Sequence, residues 1–401
     1  GEPRARSMLL WTRYASDSGA RLRVEVATDT MFTRIVAGGD AFADPERDHT
    51  ARVVIAGLAP GRWLFYRFIA PDGTISPVGR TRTLPEGDVS RFGIGLFSCS
   101  NLGFGWFNAY GHAVEANDCD LAVHLGDYIY EYMERRRPTV RAHSDGVEAL
   151  SLATYRNRYA QYRQDPDLQR LHATAPMLVT WDDHEVDNDY AGDRDERDTP
   201  SEVFLLRRAA AYQAYYEAMP LRASCLPQGP HLQLYRKASF GRLAEFLVLD
   251  TRQYRTDQPN GDNNKPLNAA ALDPRNSLLG AEQRNWMDRS LLASQAHWNV
   301  LAQQVMMARV DLARGPDVLH SMDQWPGYEF ERRRVLRHFR DRRVKNPVVI
   351  TGDIHSNWVN DLRIDDRKPE TPVVATEFVG SSITSGGNGK DNPEATAKLQ
   401  S

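Results

Sequence analysis

The chain has 401 residues, more than one small core requires, so we expect one large domain or a large domain with a small one. Its 53 acidic and 50 basic residues give a net charge of −3, which excludes a global positive field that would attract nucleic acid. Three cysteines cannot form a disulfide framework, and the absence of any run of about 18 apolar residues argues against a transmembrane segment. We therefore expect a soluble chain.

Residues 1–86 are predicted to form a small all-β domain. Apolar or β-branched stretches recur at residues 7–14, 21–27, 51–55 and 64–69. Turn sequences such as Ala59-Pro60-Gly61 and Pro71-Asp72-Gly73 separate them. Short strands at this spacing, without a helical stretch, are typical of an antiparallel sandwich of the fibronectin or immunoglobulin type.

Residues 90–401 have the alternating pattern of an α/β domain. The predicted strands are residues 92–97, 121–125, 177–180, 245–249, 298–302, 348–351 and 373–379. Helical periodicity is clearest at residues 201–218, 281–294 and 328–340. Ser201 is predicted to cap the first of these helices, and the polar ending from residue 386 to 401 has no predicted element.

Three of the predicted strands are followed by side chains that bind hard metal ions. The segments are Gly126-Asp127-Tyr128-Ile129-Tyr130-Glu131, Trp181-Asp182-Asp183-His184-Glu185 and Gly352-Asp353-Ile354-His355. Strand ends that meet at the carboxyl edge of a sheet can assemble a metal centre from distant parts of a sequence. This pattern indicates hydrolysis at phosphorus.

Asp127 and Tyr130 are candidates for one ion. Gly126 lets the backbone turn closely, so that the Asp127 carboxylate points across the sheet edge, where it can bridge two cations. The Tyr130 phenolate would bind the same ion if that ion were a strong Lewis acid such as ferric iron. The alternatives are a turn or N-cap role for Asp127 and an ordinary half-buried aromatic ring for Tyr130.

Cys99 follows the predicted strand 92–97 and would lie at the same edge, where its thiolate could bind metal or act as a nucleophile. Thiol phosphatases need a five-residue phosphate loop and then an arginine after the cysteine, but Gly105 occupies that position. A metal ligand and a buried, inert cysteine remain as alternatives.

Acidic residues and histidines after the later strands complete the candidate site. Asp183 is predicted to bind a second ion, and His184 to act as a general acid or to stabilise charge beside the leaving oxygen. Asp353 and His355 alternate in an extended segment, so both can face one cluster, although His355 could equally be a hydrogen-bonded core histidine. In contrast, we expect Asp187 and Asp189 to be solvated loop acids.

Arg252 closes another apolar strand and is a natural bidentate partner for phosphate oxygens. A surface ion pair with Asp250 or Asp257 is the alternative. The basic runs at residues 135–137, 332–334 and 340–343 look like solvated faces, without a role in the site.

Taken together, these motifs resemble the PhoD-like alkaline phosphatases of the metallophosphatase group, and the likeness covers most of the chain. The resemblance implies an αββα sandwich preceded by the small β domain. It implies a ferric ion, Fe3+, held by Cys99, Asp127, Tyr130 and His355. It further implies a second ion, Ca2+, held by Asp127, Asp183 and Asp353. The partition of Asp353 and His355 between the two ions is open, and so is the identity of the second metal.

The expected activity is metal-dependent hydrolysis of small phosphodiesters or phosphomonoesters by a metal-activated hydroxide, with His184 and Arg252 as catalytic residues. The alternatives are a non-catalytic, calcium-stabilised binding protein and a metallonuclease, although the chain lacks a basic, aromatic-rich surface for nucleic acid. The family likeness implies a periplasmic or secreted location. The sequence does not indicate an oligomeric state.

Overall fold

A computed structural model describes residues 1–132, 140–313, 317–368 and 370–386. The basic run at residues 135–137 and the polar ending after residue 386 lie outside these ranges. Within them, no helix combines the length and the apolar character that crossing a membrane would require.

Two antiparallel sheets form the amino-terminal part of the chain. Their strands are β1 (Ser7–Arg13), β2 (Ala20–Ala27), β3 (Ile35–Ala43), β4 (Thr50–Ala56), β5 (Trp63–Ile69) and β6 (Gly79–Arg82). β1 pairs with β4, and the other sheet has the order β3-β2-β5-β6. Leu22 and Val24 alternate with polar residues along β2 and pack with Met8, Leu10 and Ile55 in a core between the sheets. The predicted all-β region is confirmed, and β3 and β6 are additional strands.

A three-stranded parallel sheet follows, with four helices. Its order is β7 (Ile94–Phe97), β8 (Leu121–His124) and β9 (Met177–Val179). The helices are α1 (Asn108–Ala116), α2 (Leu152–Tyr162), α3 (Pro166–Thr174) and α4 (Ser201–Ala218).

A second, six-stranded sheet has the order β10-β11-β13-β15-β17-β16. Its strands are β10 (Arg236–Phe240), β11 (Ala244–Val248), β13 (Trp298–Ala302), β15 (Pro347–Thr351), β16 (Trp358–Leu362) and β17 (Ala375–Val379). The four central strands are parallel, and β10 and β16 are antiparallel edges. A short pair, β12 (Asn264–Lys265) and β14 (His320–Ser321), lies in the connections, and the helices are α5 (Ala281–Ala293) and α6 (Glu329–Asp341).

The two sheets pack face to face between layers of helices. Alternate residues of β8, Leu121 and Val123, contact Phe246 and Val300 of the second sheet, whereas Ala122 faces the core shared with α1 to α4. Residues of the opposite phase in the second sheet, such as Leu301, pack with α5 and α6. Strands buried on both faces explain the continuous apolar runs in the sequence. The arrangement is a four-layer αββα sandwich.

Two local predictions are wrong. Ser201 is the first residue of α4 and not its cap, because Pro200 occupies the cap position and the Ser201 hydroxyl donates to Asp193 Oδ2 at 2.6 Å. The basic run at residues 332–334 is not uniformly solvated, since Arg332 is fully buried and pairs with Glu329 at 3.6 Å. Burial of a guanidinium requires such partners.

Candidate metal centre

The candidate residues lie in loops that follow the carboxyl ends of four strands. Cys99 follows β7, Asp127 follows β8, Asp183 follows β9, and Asp353 and His355 follow β15. Four of these five residues have the left-handed backbone conformation, with φ of 59° at Cys99, 52° at Asp127, 65° at Asp353 and 58° at His355. Such strained backbones cluster at functional sites, where the surrounding structure holds them.

The loops after β8 and β9 approach so closely that only glycine fits at position 126. The φ of Gly126 is 110°, and a Cβ atom at this position would overlap the backbone nitrogen and Cβ of Asp182. Glu185 joins the same loops, because its carboxylate accepts the backbone N–H of Asp127 at 3.0 Å, of Tyr128 at 2.6 Å and of Asp182 at 2.9 Å. Asp127 and Asp183 are therefore brought to one point by the main chain.

One group of ligand atoms joins both sheets. Atoms of Cys99, Asp127 and His355 lie within 4.8 Å of one another. The Tyr130 hydroxyl donates to Asp127 Oδ2 at 3.1 Å and lies 3.2 Å from His355 Nε2. Of the four residues that the family resemblance assigns to the first ion, three therefore lie close together, and Tyr130 contacts two of them.

A second group shares Asp127 with the first. Atoms of Asp127, Asp183 and His184 lie within 4.8 Å of one another. Asp353 belongs to neither group of mutually close atoms, and its Oδ2 accepts a hydrogen bond from Gln324 Nε2 at 2.8 Å. Of the two residues left open by the sequence, His355 therefore lies with Cys99 and Tyr130.

The chemistry of these donors fits cations. Asp127 Oδ1, Asp182 Oδ2 and Asp183 Oδ1 are buried and have no hydrogen-bond partner among the described residues. Burial raises the pKa of Asp127 well above its usual range, and the neighbouring carboxylates raise it further. Buried, unpaired carboxylate oxygens are costly unless a cation or a proton satisfies them. A thiolate, a phenolate, an imidazole and carboxylates together suit a strongly charged ion beside a harder one.

His184 is oriented by a buried glutamate. Its Nδ1 lies 2.7 Å from Glu131 Oε2, and its ring packs on Tyr130 with centroids 4.1 Å apart. Burial lowers the pKa of His184, but the charges of Glu131, Asp183 and Asp127 raise it. The resulting pKa is well above the ordinary value of a histidine. The imidazole can therefore hold a proton beside the cluster.

Arg252 is fully buried, so the alternative of a surface ion pair is wrong. Its Nε donates to Asp182 Oδ1 at 2.5 Å, its Nη1 donates to Asp323 Oδ1 at 2.8 Å, and its Nη2 lies 3.7 Å from Asp183 Oδ1. The guanidinium thus lies among carboxylates, and its contact with substrate phosphate stays a prediction.

The prediction that Asp187 and Asp189 are solvated is wrong for Asp187, whereas Asp189 is half-buried. Asp187 is buried and pairs with Arg207 at 2.8 Å. The backbone N–H of Asp189 donates to Asp183 Oδ2 at 2.8 Å. Burial, together with Asp323 and Asp183, raises the pKa of Asp189 to about 10. An arginine thus holds the Asp187 carboxylate, and the main chain at Asp189 bonds the candidate ligand Asp183.

Glu131, Glu185 and Gln324 all contact candidate residues, although no role was predicted for them from the sequence. Glu131 and Glu185 stand inside the quoted motifs, so their proximity to the acids was a usable signal. Gln324 is distant from every ligand in the sequence, and only the fold brings it to Asp353.

Comparison with known families covers nearly the whole chain. The family described as "PhoD-like phosphatase" matches residues 92–401, and the family described as "PhoD-like phosphatase, N-terminal domain" matches residues 1–85. Alkaline phosphatase D of Bacillus subtilis (strain 168) is 44% identical over 414 residues, which cover 100% of this chain and 70% of that protein.

A solved structure described as "Structure of PhoD" is also 44% identical. It superposes with a TM-score of 0.94 over 100% of this chain and 79% of that one. The αββα sandwich and the preceding β region that the sequence predicted are therefore confirmed.

Proposed function

Because this chain belongs to the PhoD-like phosphatase family and hydrolyses phosphate esters, we propose that it does so with two metal ions bound where the two sheets meet. Cys99, Asp127, Tyr130 and His355 would hold the first ion, and Asp127, Asp183 and Asp353 the second. The non-catalytic binding protein considered from the sequence is wrong, since the family consists of phosphatases.

We propose Fe3+ for the first ion and Ca2+ for the second. A thiolate with a phenolate favours a strong Lewis acid, whereas the acidic oxygens of Asp183 and Asp353 favour a hard divalent cation. When bound, such a pair supplies charge neutralisation for the phosphoryl oxygens and a lowered pKa for an attacking water.

Protein residues would supply proton transfer and positioning. His184 can hold a proton on the imidazole that Glu131 orients, and it would give that proton to the departing oxygen. Arg252, predicted to bind phosphate, is surrounded by Asp182, Asp183 and Asp323. We therefore propose that its main task is to hold these carboxylates in place, and that any contact with phosphate is made through Nη2, which has no hydrogen-bond partner among the described residues.

The shared position of Asp127 is the observation that carries this proposal. It is a member of both groups of mutually close ligand atoms, and its Oδ1 is buried without a hydrogen bond among the described residues. A carboxylate between two sets of donors is the expected geometry of a bridging ligand.

Removal of the metal ions and of the bridging ligand tests the proposal. We expect chelation to abolish hydrolysis of a chromogenic phosphodiester, and Asp127→Ala to lose both activity and bound iron, measured by elemental analysis. Asp167→Ala is the matched control, because this aspartate is partly exposed on α3 and pairs with Arg170 at 3.1 Å. An Asp127→Ala protein that is active without iron would rule the proposal out.

Three further expectations are proposals of the same kind. Small phosphodiesters or phosphomonoesters are the proposed substrates, with nucleic acid not preferred, and comparative rates would rank them. A periplasmic or secreted location is proposed from the family likeness and is testable by cell fractionation. Residues 1–86 and 90–401 are proposed as two domains, supported by family matches at residues 1–85 and 92–401.

A further inference from the structure

Gln324 contacts one carboxylate of the proposed second ion directly. Its Nε2 donates to Asp353 Oδ2 at 2.8 Å, and its side chain is buried. The left-handed backbone of Asp353 fixes the start of that side chain, and the hydrogen bond fixes its end. A carboxylate held at both points has one orientation toward the cluster.

Asp323, the preceding residue, collects three donors on a single oxygen. Its Oδ1 accepts hydrogen bonds from Arg252 Nη1 at 2.8 Å, Arg255 Nη1 at 2.6 Å and Gln258 Nε2 at 2.9 Å. The Arg252 and Arg255 side chains are both fully buried, and this carboxylate compensates part of their positive charge.

Through Arg252 the same segment reaches the acids after β9. The guanidinium donates to Asp182 Oδ1 at 2.5 Å and lies 3.7 Å from Asp183 Oδ1. Two neighbouring residues therefore reach both Asp183 and Asp353, which are proposed for the second ion: Asp323 acts through Arg252 on Asp183, and Gln324 bonds Asp353 directly.

The segment that carries these residues is anchored to the six-stranded sheet. Trp325 is fully buried, and its Nε1 donates to Gln303 Oε1 at 3.0 Å, in the residue that follows β13. Gly327 packs so tightly on the carbonyl of Met322 that a Cβ atom would overlap it. A support of this rigidity can fix the positions of the groups it holds.

We infer that Asp323 and Gln324 are positioning residues that set the separation of Asp183 and Asp353. Asp183 belongs to the loop after β9 in the three-stranded sheet, and Asp353 to the loop after β15 in the six-stranded sheet. Without a common support, the distance between them would depend on how the two sheets pack. This inference rests on the proposed function, since it assumes that both carboxylates bind the second ion.

Gln324→Met tests the inference, because methionine keeps the length of the side chain and removes the donor. In full-length protein that retains iron and has been stripped of calcium, we expect the calcium affinity measured by calorimetry to fall about 10- to 100-fold. Iron content and the unfolding temperature without calcium should be unchanged, because the Gln324 side chain makes no hydrogen bond to the first group within the described part of the chain. A merely structural role would lower the unfolding temperature and leave the calcium affinity alone.

Gln213→Met is the matched control, since this partly buried glutamine of α4 donates to Glu217 at 2.5 Å and touches no proposed ligand. Its calcium affinity should equal that of the wild type. Asp323→Asn should also weaken calcium binding, and if that variant fails to fold, Gln324→Met decides alone. Wild-type calcium affinity in Gln324→Met would overturn the inference. A wild-type protein that binds no calcium in the same titration would overturn the proposed second ion instead.

Discussion

Single residues at the centre are constrained by backbone contacts as well as by chemistry. Glu185 shows this, since its carboxylate accepts hydrogen bonds from three backbone N–H groups of two loops and, among the described residues, from no candidate side chain. These N–H groups would otherwise be buried without partners. Burial raises the pKa of Glu185 to about 7, and the backbone donors oppose that rise. One residue thereby joins the loops that carry Asp127 and Asp183.

Gly126→Ala tests this constraint at its tightest point. We expect the free energy of unfolding to fall by about 3 kcal/mol or more, with loss of phosphatase activity, because both the positive φ and the overlap with Asp182 oppose a methyl group. Urea denaturation and a phosphodiester assay measure the two effects.

Gly229→Ala provides the control, because Gly229 has a φ of 61° and open space around the position of a Cβ atom. It should cost about 1 kcal/mol, the backbone strain alone, and retain activity. Equal losses in the two variants would contradict the close approach of the loops.

Individual elements differ in how far their sequence predicts them. The seven strands predicted after residue 90 correspond to β7, β8, β9, β11, β13, β15 and β17, and each of them pairs with a parallel neighbour. The edge strands β10 and β16 were missed because polar residues interrupt their apolar pattern, Arg236, Lys237 and Ser239 in β10 and Asn360 and Asp361 in β16. Helix α2 was missed for a different reason: its buried face consists of Tyr155, Arg158, Tyr159 and Tyr162, which an apolar periodicity does not detect.

Strand β8 also carries a buried histidine that makes stability depend on pH. His124 bonds the Tyr110 hydroxyl at 2.9 Å, and burial lowers its pKa from 6.5 to about 3. Between these two pKa values, His124 is therefore neutral in the folded protein and protonated in the unfolded chain. The stabilisation from neutral His124 is fully present above about pH 6.5 and is lost as the pH falls toward 3.

His124→Gln should flatten this dependence. Between about pH 6.5 and 4.5, the free energy of unfolding of the wild type should fall by about 2 kcal/mol more than that of the variant. Urea denaturation at several pH values measures both slopes. Parallel slopes would show that His124 does not carry the proton-linked loss.

At the scale of the whole molecule, the amino-terminal sheets contact the end of α4. Trp11 Nε1 donates to the carbonyl of Glu217 at 2.8 Å, and Arg52 Nη2 donates to the carbonyl of Tyr216 at 2.7 Å. The last carbonyls of a helix have no partners within it, and they attract positive charge. The β region thus supplies hydrogen-bond donors to the last carbonyls of α4, the longest described helix of the chain.

Arg52→Met should therefore lower the free energy of unfolding by about 1–2 kcal/mol without changing the rate of hydrolysis. Arg21→Met is the control, since Arg21 and Asp40 are 3.5 Å apart with side chains 77% and 56% exposed. Its effect should stay within about 0.5 kcal/mol. Indistinguishable denaturation curves for the two variants would argue against a stabilising contact between the β region and α4.

The site as a whole was less predictable than the strands that build it. The motifs placed the metal candidates at strand ends, because parallel strands share an edge wherever they occur in the sequence. They could not show that Arg252 is enclosed by carboxylates or that Asp187 is buried, since both depend on contacts between segments far apart in the chain.

The left-handed backbone at Cys99, Asp127, Asp353 and His355 restricts how this centre can diverge among relatives. Asparagine, aspartate, histidine and glycine tolerate that conformation best, whereas valine, isoleucine and threonine are strongly disfavoured. A residue that replaces one of these ligands during evolution must therefore tolerate the left-handed backbone as well as bind the metal. Asparagine is the mildest replacement for either aspartate. A relative with asparagine there would have one negative charge fewer at the site and the same backbone conformation in the loop.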